Sequence, residues 1–261
     1  MKREHHNRNG KRTDRYPLVT IITVAYNSEA TIAQTVESVL NQTYPKIEYL
    51  VIDGQSGDRT VETARAYEAA FAAKGIRYVV TSEPDGGIYD AMNKGIRKAS
   101  GLLIGMINSD DWYEPDAVKT AVRAYRSSAY DMFYADIRMI RRNGSTFIKR
   151  SRAGRAATSR HWNHPTMFVT KQAYQELGVY KNTGIYDDFD LFLRFLKADR
   201  KMAVVNKVLA NFRYGGASSE KSLEKCWYRC MDRYRCYREN GYSRLYLAEC
   251  IGMEAIKYLS G

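Results

Sequence analysis

Apolar and polar positions follow two alternating rhythms along the first half of the chain. Leu18 to Val24 (LVTIITV) is β-branched and apolar, and predicts a buried first strand. Ile32, Val36, Val39 and Leu40 then recur at helical spacing. Tyr49 to Ile52 predicts a second strand ending at Asp53, and a helix is expected over 60–74. Tyr78 to Val80 reads as a third strand. Ile88, Met92, Ile96 and Ala99 mark another helix, and Leu102 to Ile107 a fourth strand. Strands alternating with helices imply βαβ units and a largely parallel sheet.

After Asp111 the rhythm changes. A helix is expected from Pro115 to Ser127, and strands from Asp131 to Ile148 with Asn143-Gly144 as a hairpin turn. Asp187-Asp188-Phe189-Asp190 opens a helix through Lys197, where acids suit the positive end of the dipole. Residues 219–261 read as two amphipathic helices. Leu223, Cys226, Trp227, Cys230, Met231, Tyr234 and Tyr237 form one apolar face, and Leu245, Ala248, Ile251, Ile256 and Leu259 the other. The expected fold class is α/β: a mostly parallel, Rossmann-like central sheet flanked by helices, with a C-terminal helical appendage. Residues 1–16 are polar, basic and aperiodic and read as a disordered arm.

Composition narrows the function classes. Of 261 residues 44% are hydrophobic, enough for a substantial core, and the formal net charge is +12, which points to anionic partners. No run approaches the ~20 apolar residues of a membrane span, and the polar N-terminus has no apolar signal segment. The expected location is cytoplasmic, with peripheral attachment to the inner face of the cell membrane as an alternative. Cys226, Cys230, Cys236 and Cys250 lack zinc-site spacing and read as reduced core residues. Between Arg138 and Arg160 stand eight Arg or Lys residues and no acid. This block either attracts an anionic acceptor or headgroup, or is a solvated hairpin.

The candidate chemistry begins at Asn108-Ser109-Asp110-Asp111, directly after the fourth strand. Open α/β sheets bind ligands beyond the carboxyl ends of their strands. Adjacent acids there repel one another unless a cation or hydrogen bonds compensate. Hard oxygen ligands suit Mg²⁺ or Mn²⁺, which could hold a diphosphate; two capping acids in a turn are the alternative. Asp53 before Gly54 and Asp85 in Pro84-Asp85-Gly86-Gly87 either bind a ligand at the strand ends or form plain turns. His164 is an acceptor-side contact or a structural residue, and Arg194 is expected to pair with a nearby acid. Asp187, Asp188 and Asp190 cannot all face one pocket at helical spacing.

These motifs, in this order, resemble the family 2 glycosyltransferases of GT-A fold over roughly 17–219. The segments concerned are Pro17 to Ile22 with Ala25-Tyr26-Asn27, Val51 to Thr60, Gly87 to Gly95, Asn108 to Asp111, Asp187 to Arg194, and Gly215-Gly216-Ala217-Ser218. The resemblance implies a catalytic domain over 17–218, with a nucleotide-binding half (17–113) and an acceptor-binding half (114–218). It implies that Ala25, Tyr26, Asp53, Asp85, Asn93 and Asn108 contact a nucleotide diphosphate sugar, UDP-sugar being favoured. Asp110 and Asp111 would hold Mn²⁺ or Mg²⁺, and Asp188 would act as general base in an inverting transfer to a glycan or lipid-linked saccharide. Nucleic acid is not an expected partner. Asn108 stands for the family's first Asp, Asp187 for Glu and Met92 for Arg. The Gln-x-x-Arg-Trp motif of processive members is lacking, which favours one sugar per encounter. The alternatives fit less well: a sugar nucleotidyltransferase would want a Gly-rich, basic triphosphate loop after the first strand, which Ala25-Tyr26-Asn27-Ser28 is not, and an anionic-polymer-binding protein has no use for acids at the strand ends.

Overall fold

The computed structural model describes residues 16–154, 156–214 and 222–260. Residues 1–15 of the expected arm and the Gly215 to Ser218 loop lie outside the described residues. The first half runs β1 (Val19–Ala25), α1 (Ile32–Leu40), β2 (Ile47–Asp53), α2 (Thr60–Arg65), α3 (Glu68–Ala73), β3 (Arg77–Ser82), α4 (Ile88–Lys98) and β4 (Leu103–Met106). β1 lies between β2 and β4, parallel to both, and β2 pairs in parallel with β3. The helix expected over 60–74 is two helices. Their junction tightens where the Tyr67 amide reaches back only three residues, to the Ala64 carbonyl at 3.3 Å.

Every residue of β1 and β2 is buried because helices cover both faces of the sheet. Val19, Ile21, Tyr49 and Val51 point into one core with α1 and Phe71 of α3; Ile22, Val24, Leu50 and Ile52 point into the other with α4. At Gly95 a Cβ would stand 2.6 Å from Ile22, so the missing side chain lets α4 press onto β1. This close packing holds the carboxyl ends of the strands on a rigid base.

The second half contains β5 (Trp112–Tyr113), α5 (Ala117–Ser128), β6 (Met132–Ile140), β7 (Thr146–Lys149), a 3₁₀ turn (His164–Thr166), β8 (Phe168–Thr170), α6 (Lys171–Leu177), α7 (Asp187–Lys197) and β9 (Met202–Arg213). The sheet order is β3-β2-β1-β4-β8-β6-β9-β5, with β7 on β6. Parallel pairing therefore fills the first half of the sheet, while beyond β4 antiparallel pairs alternate with the parallel β6–β9 ladder. Gly144 adopts φ +79° in the expected β6–β7 turn.

Two helices close the chain, α8 (Leu223–Glu239), capped by Ser222, and α9 (Tyr246–Ser260). Their orientation corrects the apolar faces expected from spacing. In α8 Leu223 and Trp227 are 75% and 61% exposed, while Arg229, Cys230, Arg233, Cys236 and Tyr237 are buried. Leu245, just before α9, and Ile251 and Ile256 within it face outward, and Cys250 and Glu254 inward. The inward choice follows from the loop that α8 covers. Asp232 accepts the backbone amides of Ile185 and Tyr186, and Arg235 pairs with the buried Asp187 at 2.7 Å. Exposed amides and a buried carboxylate need polar partners more than another apolar stripe. The four cysteines are free, as expected.

Candidate active site

The carboxyl ends of β1, β2, β3 and β4 carry one half of the site. Ala25 ends β1 and Tyr26 follows it with its ring 65% exposed, so Tyr26 is not a core residue. Asn27 takes a left-handed φ of 47° and its Oδ1 accepts the Gly57 amide at 2.9 Å, tying the β1 loop to the β2 loop. Asp53 is buried at the end of β2 and accepts from the Ser56 amide and from the hydroxyls of Ser56 and Ser82. Asp85 accepts the Gly87 amide at 2.9 Å, and its carboxylate lies where a Cβ at Gly54 would be, 2.5 Å away. Both acids thus organise turns, and they converge across Gly54. Asn93 sits elsewhere: its amide makes reciprocal bonds to the backbone of Tyr180, 2.8 and 3.0 Å, which braces the loop before α7. The sequence reading expected a donor contact at Asn93; in the fold its side-chain amide is engaged with this loop.

Asn108 to Asp111 follow β4. Asn108 and Asp110 are half-buried, whereas Asp111 lies under the end of β9 and accepts the Arg213 amide through Oδ1 at 3.0 Å. Its Oδ2 is buried without a hydrogen-bond partner. Burial pushes the Asp110 carboxyl up, and burial together with the Asp110 charge pushes Asp111 well above the usual carboxylate range. Two adjacent acids, one with an orphaned oxygen, fit a hard divalent cation that shares its remaining positions with phosphate and water. Among the described residues no group of three or more His, Cys, Asp or Glu side chains forms a cage for a metal ion by itself.

The other half of the site is a cavity of about 360 Å³ lined by Asp188, Lys149, His164, Trp162, Tyr186 and Phe212, among others. The three acids of α7 divide here. Asp187 accepts from Thr183, Gly184 and Arg235; Asp190 accepts from Lys181, Arg194 and Asn240. Both are fully buried and partnered, which also confirms the expected pairing of Arg194 with an acid. Asp188 alone of the three lines the cavity. Burial raises its pKa, against the opposing pull of His164, the Phe189 amide, Tyr89 and Lys149. His164 touches Tyr180 Oη through Nε2 at 2.9 Å, and burial lowers its pKa. Phe212 and Tyr214 face the cavity on either side of Arg213, whose amide holds Asp111. The end of β9 thereby joins the two halves.

The glycosyl transferase family 2 model matches residues 20–194, from β1 through α7. The chain belongs to glycosyl transferase family 2. All the residues discussed from Ala25 to Asp188 fall inside the family 2 match. Among curated relatives, an uncharacterised glycosyltransferase of Mycobacterium tuberculosis is 44% identical over 110 residues, covering 41% of this chain and 40% of that protein. Chondroitin synthase of Pasteurella multocida is 28% identical, covering 80% of this chain and 22% of that protein. The chain thus spans less than half the length of these relatives. The solved structure of S. aureus TarS (residues 1–349) with UDP-GlcNAc aligns with a TM-score of 0.70 at 16% identity, covering 93% of this chain and 73% of that one. A Pyrobaculum calidifontis mannosyltransferase with GDP-Man and Mn²⁺ gives 0.66 at 15%, covering 94% and 71%. These likenesses show the GT-A fold, including the C-terminal helices within the aligned span.

Lys149 reaches the cavity from the basic block, and Arg233, Lys257, Trp162 and Tyr186 reach it although the sequence reading gave none of these four a place in a site. The signal for Arg233 was available in principle. It stands three residues after Cys230 and four before Tyr237, on the face that turns inward, where a guanidinium needs a purpose.

Proposed function

We propose that this family 2 protein is an inverting glycosyltransferase that moves one sugar from a nucleotide diphosphate sugar to an acceptor hydroxyl in bacterial polysaccharide or lipid-linked saccharide synthesis. The observation that carries the reading is the division among the α7 acids, which leaves Asp188 as the acid lining the cavity while its neighbours are tied into the fold. A carboxylate there accepts the proton of the attacking hydroxyl. Tyr26 offers an exposed ring for the base just after β1, Asp53 ends the neighbouring β2, and Asp85 lies against Gly54. Asp110 and Asp111 would hold Mn²⁺ or Mg²⁺, which when bound offsets charge on the departing diphosphate. A uridine donor is favoured, in keeping with the UDP-GlcNAc of TarS, whereas the mannosyltransferase carries GDP-Man. The test is a panel of nucleotide sugars with Mn²⁺. Sugar-dependent release of nucleoside diphosphate is expected, and its absence from every donor would sink the assignment.

Membrane association belongs to the same proposal. Among the described residues no helix is long and apolar enough to cross a bilayer. Leu223, Trp227, Tyr228 and Met231 form one exposed stripe of α8, suited to an interfacial contact. The paired change Leu223→Ser and Trp227→Ser is expected to reduce co-sedimentation with anionic liposomes severalfold without loss of helix content. Unchanged sedimentation would dismiss the membrane role.

A further inference from the structure

The acceptor cavity is strongly cationic. Lys149, Arg160, Arg233 and Lys257 line it, and Asp188 is the one acid among its described lining residues. Arg233 is only 1% exposed, and its Nε and Nη1 have no hydrogen-bond partner. Its Nη2 donates to Tyr186 Oη at 2.6 Å, and the guanidinium lies 4.4 Å over the Tyr186 ring. Glu254 approaches Arg233 at 3.2 Å, but that carboxylate is shared with Arg229 at 2.8 Å and Lys257 at 3.6 Å. One acid therefore faces three cations behind the cavity wall. Burial draws Lys149 down to about 8, opposed by the Asp188 charge and reinforced by Lys257. A buried guanidinium with two nitrogens unmatched, beside half-buried Lys149 and Lys257, is unfavourable until an anion enters. Trp162, Tyr186 and Phe212 supply flat apolar surface in the same cavity.

We propose that the acceptor of this enzyme is an anionic saccharide whose phosphate or carboxylate is gripped by Arg233, Lys149 and Lys257 while its hydroxyl meets Asp188. This deepens the transferase reading and rests on it. Phosphate and carboxylate share the recognising chemistry: oxygen acceptors for guanidinium and ammonium donors. The sugar ring lies against the aromatic wall.

The full chain is titrated with glucose 6-phosphate, glucuronate and glucose, without donor. At least one charged sugar is expected to bind about ten-fold or more tighter than glucose, the scale of one charge-assisted hydrogen bond. Tighter phosphosugar identifies a phosphate-bearing acceptor, and tighter glucuronate an acidic sugar. Lys257→Met and Lys149→Met keep the apolar stems, and circular dichroism checks their fold. Each is expected to remove most of the preference and leave glucose affinity unchanged. Equal affinity for the three sugars, or a preference that survives in both variants, overturns the proposal. Donor hydrolysis by the unaltered protein is measured alongside. Its failure counts against the transferase reading alone, because sugar binding is read without donor.

Discussion

Replacing Asp188 with asparagine is expected to lower sugar transfer by about 10²–10⁴-fold, the usual contribution of a positioned general base, while donor affinity stays intact. The amide keeps the shape of the side chain and cannot take a proton. Asp187 and Asp190 cannot substitute, because each is buried among fixed donors on the same helix. The pH dependence follows from the direction of the shift. A base works ionised, and burial lifts the Asp188 pKa above its ordinary 3.8. Activity is therefore lost as pH falls through the raised value, so the acid limb lies above the ordinary 3.8 of an aspartate. Transfer rates across pH, with donor affinity by calorimetry, check both parts. Near-normal transfer by the asparagine variant would remove Asp188 from the mechanism.

Replacing Asp110 with alanine is expected to abolish metal-dependent tightening of donor binding, by about a hundred-fold or more given the several kcal/mol a bound cation supplies. Asp110 is the more accessible of the two acids, and Asp111 holds β9 through the Arg213 amide. The first therefore has the freer carboxylate, while the second contributes the unpartnered Oδ2 behind it. Calorimetric titration of UDP with and without Mn²⁺ separates this from a structural effect. The variant is expected to bind UDP equally weakly in both conditions, and a retained manganese effect would place the cation elsewhere.

β1, β2 and β4 were legible because they are buried on both faces and read as largely apolar runs, the last two followed by Asp53 and Asn108. The motifs put Asp53, Asp85 and Asp110 at or after strand ends and Asp188 in the first turn of a helix, and each stands there in the fold. Period alone could not show which of three clustered acids faces the cavity. That depends on Arg235 and Asn240, some fifty residues away in the chain. The same remoteness hid Asn93, whose partner is the backbone of Tyr180. The C-terminal helices were misread in orientation because spacing counts apolar residues and ignores what the covered surface demands. Here the demand comes from the amides of Ile185 and Tyr186 and from the Asp187 carboxylate.

The grip of Asp232 and Arg235 on the segment before α7 has a practical corollary for engineering. Met253 and Lys257 of the last helix share a chamber with Asp188. On the transferase reading proposed above, a chimera meant to glycosylate a new target is expected to need the tail together with the turn it clasps.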